Sequence, residues 1–249
     1  MRIFYASDLH IEFEDNRNAL QFDELAADLV ILAGDIGVGT DGIEWAAASF
    51  SIPIIYVPGN HEFYHHDYHE LRARSREIAS KLGVHLLDED TIEIDGIRFA
   101  GCTLWTDYQV NGTPQFSKTV LEDVMPDHRC ITSGKNTLWT PELALETHQN
   151  SVAWLAGLNN IDVVVTHHCP SLTAIGHIHP QNQYTPGFIS DLDWLIEKIA
   201  PRAWVFGHHH CCVDVIHPSG ARIVSNQHGY PHEDRGTIGW NQTAILEIG

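Results

Sequence analysis

Five short segments place metal-capable side chains directly after runs of strand-forming residues. They are Asp8-Leu9-His10, Gly34-Asp35, Gly59-Asn60-His61-Glu62, Thr166-His167-His168 and Gly207-His208-His209-His210. Residues two apart in an extended chain face the same way, so Asp8 with His10, and His208 with His210, can each face one site. Mixed carboxylate, amide and imidazole ligands suit Mn, Fe, Zn or Ni better than Ca or Mg. The pattern predicts a transition-metal site assembled from five loops.

Two metal ions in such a site would have a definite use. Ions about 3.5–4 Å apart can clamp the attacking and the leaving oxygen of a phosphate ester. A carboxylate has two oxygens, so one Asp can bridge both ions. Imidazoles and an amide oxygen complete the ligand set without adding negative charge that would repel phosphate. The residue types therefore favour phosphate-ester chemistry.

The order D-x-H, G-D, G-N-H-E, H and G-H-x-H, from residue 8 to residue 210, resembles the calcineurin-like metallophosphoesterase superfamily. The resemblance implies two ligand sets that share Asp35 as the bridge. One metal would be held by Asp8, His10, Asp35 and His210, and the other by Asp35, Asn60, His167 and His208. It also implies that His61 protonates the leaving oxygen or steadies the phosphate. The implied fold is an α/β four-layer αββα sandwich of two mixed sheets flanked by helices.

The resemblance implies hydrolysis by attack of a metal-bridging hydroxide, because bound metal can lower the pKa of water from 15.7 to about 7. The expected cofactors are two divalent transition-metal ions. Manganese is favoured, and iron, zinc or nickel remain alternatives. No Ser or Cys nucleophile is required, so no phosphoenzyme is expected.

Two departures from the family pattern bear on the substrate. Gly34-Asp35-Ile36-Gly37-Val38-Gly39 lacks the acidic residue that many members carry there, and the D-R-G triplet of protein Ser/Thr phosphatases is missing, since no Arg lies between Arg17 and Arg72. These departures disfavour a phosphoprotein phosphatase, which stays an alternative to the expected phosphoesterase for small mono- or diesters. The partner that orients His61 is left open, with Asp41 and Glu62 as candidates.

The other histidines and residues 226–231 are interpreted separately from the expected ligands. His177 and His179 lie in a loop that relatives use beside the pocket, so substrate contact and an ordinary loop are equally supported. His168 and His209 alternate with the expected ligands and should face away from them. Residues 226–231 resemble an N-x-x-G-Y-P segment of one branch of the family, and turn formation is the favoured interpretation.

The elements that must position these residues are strands early and late in the chain, with helices between. Strands are predicted at residues 2–7, 25–33, 52–57, 161–166 and 203–206. Helices are predicted at 68–82, capped by Gly83, and at 142–158, with Thr140 as N-cap and Pro141 in the first turn. Asp95-Gly96 predicts a hairpin turn. Together they predict two sheets flanked by helices.

Residues 107–140 are expected to be an irregular, polar insertion within one domain of residues 1–249. Loops of this length are commonly binding loops or lids. We therefore expect the insertion to border the active site and to influence substrate choice.

The composition limits partners and location. The net charge of −19, from 14 Lys+Arg against 33 Asp+Glu, disfavours nucleic acid, because binding it requires basic groups that neutralise phosphates. The apolar runs are far shorter than the about 20 residues of a membrane span, so no membrane partner is expected. Five cysteines without a zinc or disulfide pattern favour reduced thiols and a cytoplasmic location. A nuclease and a non-catalytic scaffold remain weaker alternatives, and the oligomeric state is unknown.

Overall fold

The computed structural model describes residues 1–20, 22, 25–135, 137–178 and 180–249. The strands of these residues, in chain order, are β1 (Arg2–Ala6), β2 (Leu29–Ala33), β3 (Ile54–Val57), β4 (His85–Leu86), β5 (Asp90–Ile94), β6 (Ile97–Cys102), β7 (Val163–Thr166), β8 (Ala203–Phe206), β9 (Val213–Ile216), β10 (Arg222–Ser225) and β11 (Ile245–Glu247). The α-helices are α1 (Glu14–Ala19), α2 (Asp41–Ser49), α3 (Tyr68–Leu82), α4 (Pro114–Val124), α5 (Asp127–Cys130), α6 (Pro141–Gly157), α7 (Asp193–Ile199) and α8 (Arg235–Ile238).

Both predicted helices form where the local sequence signals place them. In α6, the Thr140 side chain accepts a hydrogen bond from the Leu143 backbone N–H at 3.3 Å, as an N-cap residue does. Helix α3 ends at Gly83, whose φ of 74° is left-handed, a conformation that favours glycine. The predictions of residues 68–82 and 142–158 are therefore confirmed to within a residue.

The strands form two sheets. The first has the order β11-β1-β2-β3-β4, and the second has the order β5-β6-β7-β8-β10-β9. Strands β1 to β4 are parallel to one another, as are β6, β7, β8 and β10, while β11, β5 and β9 are antiparallel edge strands. Both sheets are mixed, and the carboxyl ends of several parallel strands meet at one edge of each sheet.

The sheets pack face to face, with helices on their outer surfaces. Leu29 and Val57 of the first sheet share a buried core with Phe99 and Val205 of the second. Outside the first sheet, residues of α2 and α3 pack against β1 to β3. Outside the second sheet, residues of α6 and α7 pack against β6 to β8. The expected four-layer αββα sandwich is confirmed.

The predicted irregular structure of residues 107–140 is wrong, because helices α4 and α5 form there. The prolines that suggested interruption stand where helices begin. Pro114 is the first residue of α4, and Pro126 is the N-cap of α5, positions at which a missing N–H costs nothing. Leu121 and Trp139 of the insertion also pack with Phe63, Tyr68 and Trp105 in a small shared core.

Each of the five cysteines is free, and Cys102, Cys169 and Cys211 are buried. Among the helices of the described ranges, none combines the length and apolar character that crossing a membrane needs.

Candidate active site

The side chains singled out by their spacing converge at the carboxyl ends of five strands. Asp8 and His10 follow β1, and Asp35 follows β2. The others follow β3, β7 and β8, and they are Asn60, His61, His167, His208 and His210. Every one of these side chains is buried, with at most 8% of the residue surface exposed. The two sheets thus contribute to one cluster.

Three overlapping groups within this cluster have the geometry of a metal site. The first is Asp8, His10 and His210, the second is His10, Asp35 and His61, and the third is Asp35, His167 and His208. In each group the candidate ligand atoms lie within 4.8 Å of one another. The Oδ1 atom of Asn60 lies 3.0 Å from Nε2 of His167. Asp35 links two of the groups.

In each of four imidazoles, one ring nitrogen points away from the centre of the cluster, toward an oxygen acceptor. The pairs are His10 Nδ1 with Glu12 at 3.0 Å, His210 Nδ1 with Glu233 at 2.6 Å, His167 Nδ1 with the Ala33 carbonyl at 2.9 Å, and His208 Nε2 with the Gly187 carbonyl at 3.3 Å. An oxygen acceptor assigns the proton to the outward nitrogen of a neutral imidazole. Such outward hydrogen bonds are typical of metal-ligating histidines.

When all four imidazoles are neutral, as ligation of a metal requires, their inward nitrogens face each other as lone pairs. The Nε2 atoms of His10 and His210 are 3.1 Å apart, and Nε2 of His167 is 3.2 Å from Nδ1 of His208. Two buried lone pairs in contact repel each other unless a cation lies between or beside them. The donor set of nitrogen and oxygen therefore fits divalent transition metals.

The electrostatics of the cluster favour positive charge. Burial lowers the pKa of a histidine, but Asp35 outweighs burial at His167 and raises its pKa to about 9. Hydrogen bonds and charge from Asp8 and Glu233 likewise outweigh burial at His210 and raise its pKa to about 10. The same carboxylates favour a metal cation, so metal binding is expected to release protons.

Backbone strain concentrates in the loops that carry the cluster. Non-glycine residues with positive φ include Asp8 (53°), His10 (48°), Asp35 (53°), His208 (81°) and His210 (48°). Left-handed backbone at non-glycine residues costs on the order of 1–3 kcal/mol each and is enriched at functional sites. Glycine allows the close approach: a Cβ atom on Gly207 would lie 2.7 Å from Oδ2 of Asp8.

Glu12 occupies the place for which Asp41 and Glu62 were candidates. Its Oε1 atom lies 3.0 Å from Nδ1 of His61 and 3.0 Å from Nδ1 of His10. One carboxylate oxygen therefore orients both the expected acid and an expected ligand. Both candidates are wrong: Asp41 begins α2 on the surface, and Glu62 faces another loop.

Glu62 fixes the backbone around Asp35 instead. Its carboxylate accepts hydrogen bonds from the backbone N–H groups of Asp35 (3.0 Å), Ile36 (2.9 Å) and Gly59 (2.7 Å), and from the Tyr56 hydroxyl (2.7 Å). Burial, reinforced by the nearby Asp35 charge, raises the pKa of Glu62 to about 7. Glu62 therefore binds the two loops after β2 and β3 together and is not free to orient His61.

The insertion reaches the cluster through Asp127 of α5. Oδ1 of Asp127 accepts hydrogen bonds from Nδ2 of Asn60 at 2.9 Å and from the Tyr64 hydroxyl at 2.8 Å. Because the Asn60 nitrogen is engaged there, its amide oxygen faces His167. Sequence spacing could not reveal Asp127, since 67 residues separate it from Asn60.

Tyr230, in the 226–231 segment, lies at the cluster rather than in an ordinary turn. Its hydroxyl is 3.0 Å from Nε2 of His61, and its ring centroid is 4.5 Å from that of His10. Asn226 does have the expected structural role, because its Nδ2 atom donates to the Tyr5 and Asn241 carbonyls. In the sequence, the feature that pointed to Tyr230 was the resemblance of residues 226–231 to an N-x-x-G-Y-P segment of one branch of the family.

The remaining histidines differ in their placement. Nε2 of His209 lies 3.0 Å from the Ala174 carbonyl and Nδ1 of His168 lies 3.1 Å from the Thr103 carbonyl, but the His168 ring also packs on His208, with centroids 4.2 Å apart. His177 is exposed, and its Nδ1 atom lies 3.9 Å from Sγ of Cys211. His179 lies outside the described residues. Nothing in these contacts places His177 among the clustered side chains.

An apolar cavity separates the insertion from the loop that contains His177. It has a volume of about 470 Å³ and is lined by residues that include Val124, Met125, Ile175 and Phe188. The Phe188 ring stacks on His208, with centroids 4.8 Å apart. The insertion therefore approaches the cluster at two places, through Asp127 and across this apolar cavity.

Comparisons with known proteins agree with this geometry. A protein of Acanthamoeba polyphaga mimivirus, described as uncharacterised, is 28% identical over 284 aligned residues that cover 100% of this chain and 97% of that protein. The crystal structure of phosphopantetheinyl hydrolase (PptH) from Mycobacterium tuberculosis superposes with a TM-score of 0.72, at 19% identity, covering 92% of this chain and 89% of that one. At that identity the likeness supports the fold alone.

The family comparison goes further than the fold. The sequence profile described as calcineurin-like phosphoesterase matches residues 1–212. This span contains all five segments that supply the clustered side chains, from Asp8 to His210. The chain therefore belongs to the calcineurin-like phosphoesterase family and is a metal-dependent phosphoric ester hydrolase.

Proposed function

We propose that the protein hydrolyses a small phosphate mono- or diester with two divalent transition-metal ions held around Asp35, manganese being the favoured metal. The observation that carries this proposal is the membership of Asp35 in two of the three metal-capable groups. A carboxylate with groups of imidazoles on both sides is suited to bridging two ions. The inward histidine nitrogens, which approach each other in pairs at 3.1 and 3.2 Å, support the same assignment.

The proposed ligand sets extend the first and third of these groups, with Asp35 added to the first because it lies close to His10 in the second. One ion would be held by Asp8, His10, Asp35 and His210, and the other by Asp35, Asn60, His167 and His208. When bound, such ions supply a nucleophilic water near neutral pH and stabilise negative charge on the phosphoryl oxygens. The protein itself fixes the ligand orientations through the outward hydrogen bonds of the imidazoles.

His61 is proposed as the acid that protonates the leaving oxygen. Burial opposes its charged form, but the carboxylates of Asp35 and Glu12 outweigh burial and raise the pKa of His61. A proton is therefore held on Nε2 while Nδ1 donates to Glu12. A general acid in this position typically contributes about 10²–10⁴-fold to the rate.

The substrate is proposed to be small because of the charge and the burial of the site. A chain with a net charge of −19 repels polyanions such as nucleic acid. The clustered side chains are buried beneath the loops that carry them, so a compact ester can reach them more readily than a folded phosphoprotein.

We also propose a reducing, cytoplasmic location, which the five free cysteines support.

The test compares four substrates with manganese-loaded protein. We expect turnover of nitrophenyl phosphate or bis-nitrophenyl phosphate, and none of a phosphopeptide or of single-stranded DNA. Asp35→Asn should lose bound metal and activity together, because it weakens the shared carboxylate. Asp95→Asn is the matched control, since Asn-Gly suits the same hairpin turn, and it should keep both.

Two results would contradict the proposal. If Asp35→Asn retained the full metal content and rate, Asp35 would not be the shared ligand. If the phosphopeptide were the sole substrate hydrolysed, the protein would be a phosphoprotein phosphatase.

A further inference from the structure

The Tyr230 phenol extends to the edge of the cluster. Its hydroxyl lies 3.0 Å from Nε2 of His61, the nitrogen that does not bond to Glu12. Its ring packs on His10 and His210, with centroid distances of 4.5 and 4.6 Å. The hydroxyl therefore lies next to the nitrogen that faces a substrate and beside two of the proposed metal ligands.

The segment around Tyr230 is held in place from several sides. The Gly229 backbone N–H donates to the Asp8 carbonyl at 2.9 Å, and the Tyr230 backbone N–H donates to Oε2 of Glu233 at 2.6 Å. Glu233 also bonds to Nδ1 of His210. The phenol is thus positioned by the same groups that orient the cluster, as a preorganised functional side chain must be.

Arg235, five residues from Tyr230, has a guanidinium that is already engaged. The Arg235 guanidinium donates to the carbonyls of Tyr230 and Glu233, to Oδ1 of Asn16 and to Nε2 of His228. Its donors are therefore directed at the protein. The Tyr230 hydroxyl is a neutral donor at neutral pH, because burial raises the pKa of this phenol above its usual value.

We propose that Tyr230 is a further catalytic residue, whose hydroxyl donates a hydrogen bond to a non-bridging oxygen of the bound phosphate. The inference rests on the proposed function, because it takes a phosphate ester as the ligand. Phosphoryl oxygens accept hydrogen bonds and carry the negative charge of the substrate, so an O–H donor beside His61 complements them. No proton or covalent bond is transferred to or from Tyr230 in this role.

Removal of the hydroxyl alone tests the assignment. Tyr230→Phe keeps the ring that packs on His10 and His210. With manganese-loaded protein we expect kcat/KM to fall by roughly 10- to 100-fold, the size of a lost hydrogen bond to a charged group. The loss should be equal for nitrophenyl and phenyl esters, because a non-bridging oxygen is not the leaving oxygen.

A binding measurement makes the test independent of turnover. Inorganic phosphate should raise the Tm of the manganese-loaded wild-type protein, and this rise should shrink in Tyr230→Phe at unchanged metal content. Tyr5→Phe, in the core between the sheets, removes a hydroxyl elsewhere and should behave as wild type in both measurements.

Three outcomes would overturn the inference. Unchanged phosphate binding and kcat/KM in Tyr230→Phe would show that the hydroxyl does not contact the phosphate. If Tyr230→Phe lost metal while its metal-loaded fraction bound phosphate as tightly as wild type, the hydroxyl would support the metal ligands and would not contact the phosphate. A loss confined to the phenyl ester would place the hydroxyl on the leaving oxygen.

If the wild-type protein hydrolysed no ester, the proposed function would fail, and phosphate binding would still decide the role of Tyr230.

Discussion

The single carboxylate oxygen shared by His10 and His61 makes Glu12 a sensitive residue of the site. Oε1 of Glu12 lies 3.0 Å from Nδ1 of both imidazoles. Burial raises the pKa of Glu12, but the hydrogen bonds from His10 and His61 outweigh it and lower that pKa to about 2. Glu12 is therefore a carboxylate at neutral pH, and its charge supports the protonated form of His61.

Glu12→Gln should reduce activity without unfolding the protein. The amide still accepts a hydrogen bond from one histidine, but it removes the negative charge that raises the pKa of His61. The basic limb of the pH–rate profile should move to lower pH, because His61 loses its proton earlier. Loss of an outer partner of a metal ligand typically costs about 10–100-fold in activity or metal affinity, and we expect a fall of that size in kcat/KM.

Glu14→Gln is the matched control for this change. Glu14 is exposed in the first turn of α1, so its replacement should leave the pH–rate profile unaltered. An unaltered profile in Glu12→Gln would show that Glu12 does not position His61.

At the residue scale, what the sequence could predict depends on local spacing. The proposed ligands stand in short motifs after strands, and an alternation of two residues was enough to group Asp8 with His10. Glu12 continues the same alternation, yet the turn at residues 11–13 determines where its side chain lies. Tyr230 and Asp127 approach from distant segments, and pairing across such distances depends on the folded chain.

At the scale of elements, Asp67 joins α3 to the insertion. Its Oδ1 atom accepts hydrogen bonds from the backbone N–H groups of His69 and Glu70, both at 3.0 Å, and its Oδ2 atom accepts one from Gly134. Slight burial raises the pKa of Asp67, but these backbone donors outweigh it and lower the pKa below the usual value. Asp67 is thus both a helix N-cap and an anchor for the end of the insertion.

Asp67→Ala should lower the free energy of unfolding by about 1 kcal/mol, the typical cost of a lost N-cap, as measured by urea denaturation at pH 7. Because the pKa of Asp67 is lower in the folded than in the unfolded protein, its carboxylate stabilises the fold above the unfolded pKa. That contribution is lost as the pH falls through the folded pKa. The difference between wild type and Asp67→Ala should therefore shrink in acid.

Asp67→Asn separates the cap from the charge, since Asn is also a favoured N-cap residue but its amide nitrogen cannot accept the hydrogen bond from Gly134. At pH 7 its stability should lie between those of wild type and Asp67→Ala. A cost for Asp67→Ala that was equal at neutral and acid pH would contradict the role of the carboxylate.

The elements themselves were predictable to different degrees. The helices at residues 68–82 and 142–158 carry caps within their own sequence, at Gly83 and Thr140, and local signals therefore fixed their ends. Helices α4 and α5 were missed because Pro114 and Pro126 were interpreted as interruptions. Proline has opposite meanings at the start and in the middle of a helix, and the packing around Trp139 decides between them.

At the scale of the whole molecule, the cluster joins the two sheets. Asp8 and Asp35 follow strands of the first sheet, while His167 and His208 follow strands of the second. The sheets also meet through a bridge between Ser7 and Gln227. Alternating strands and helices predicted two sheets, but the pairing across them needed the folded chain. A metal ligated from both sheets would tie these layers together.

Metal binding should therefore stabilise the entire fold. At a manganese concentration 100 times the Kd, linkage adds about 2.7 kcal/mol. For a chain of this size, 1 kcal/mol corresponds to about 2–4 °C, so we expect the Tm to fall by roughly 5–10 °C when EDTA removes the metal. The unfolding transition should remain single, since we propose that residues 1–249 form one domain. Asp95→Asn should show the same shift as wild type, whereas Asp35→Asn should show little of it, because both ions would lose the ligand that they share. Equal Tm values with manganese and with EDTA would mean that the ions do not link the two sheets.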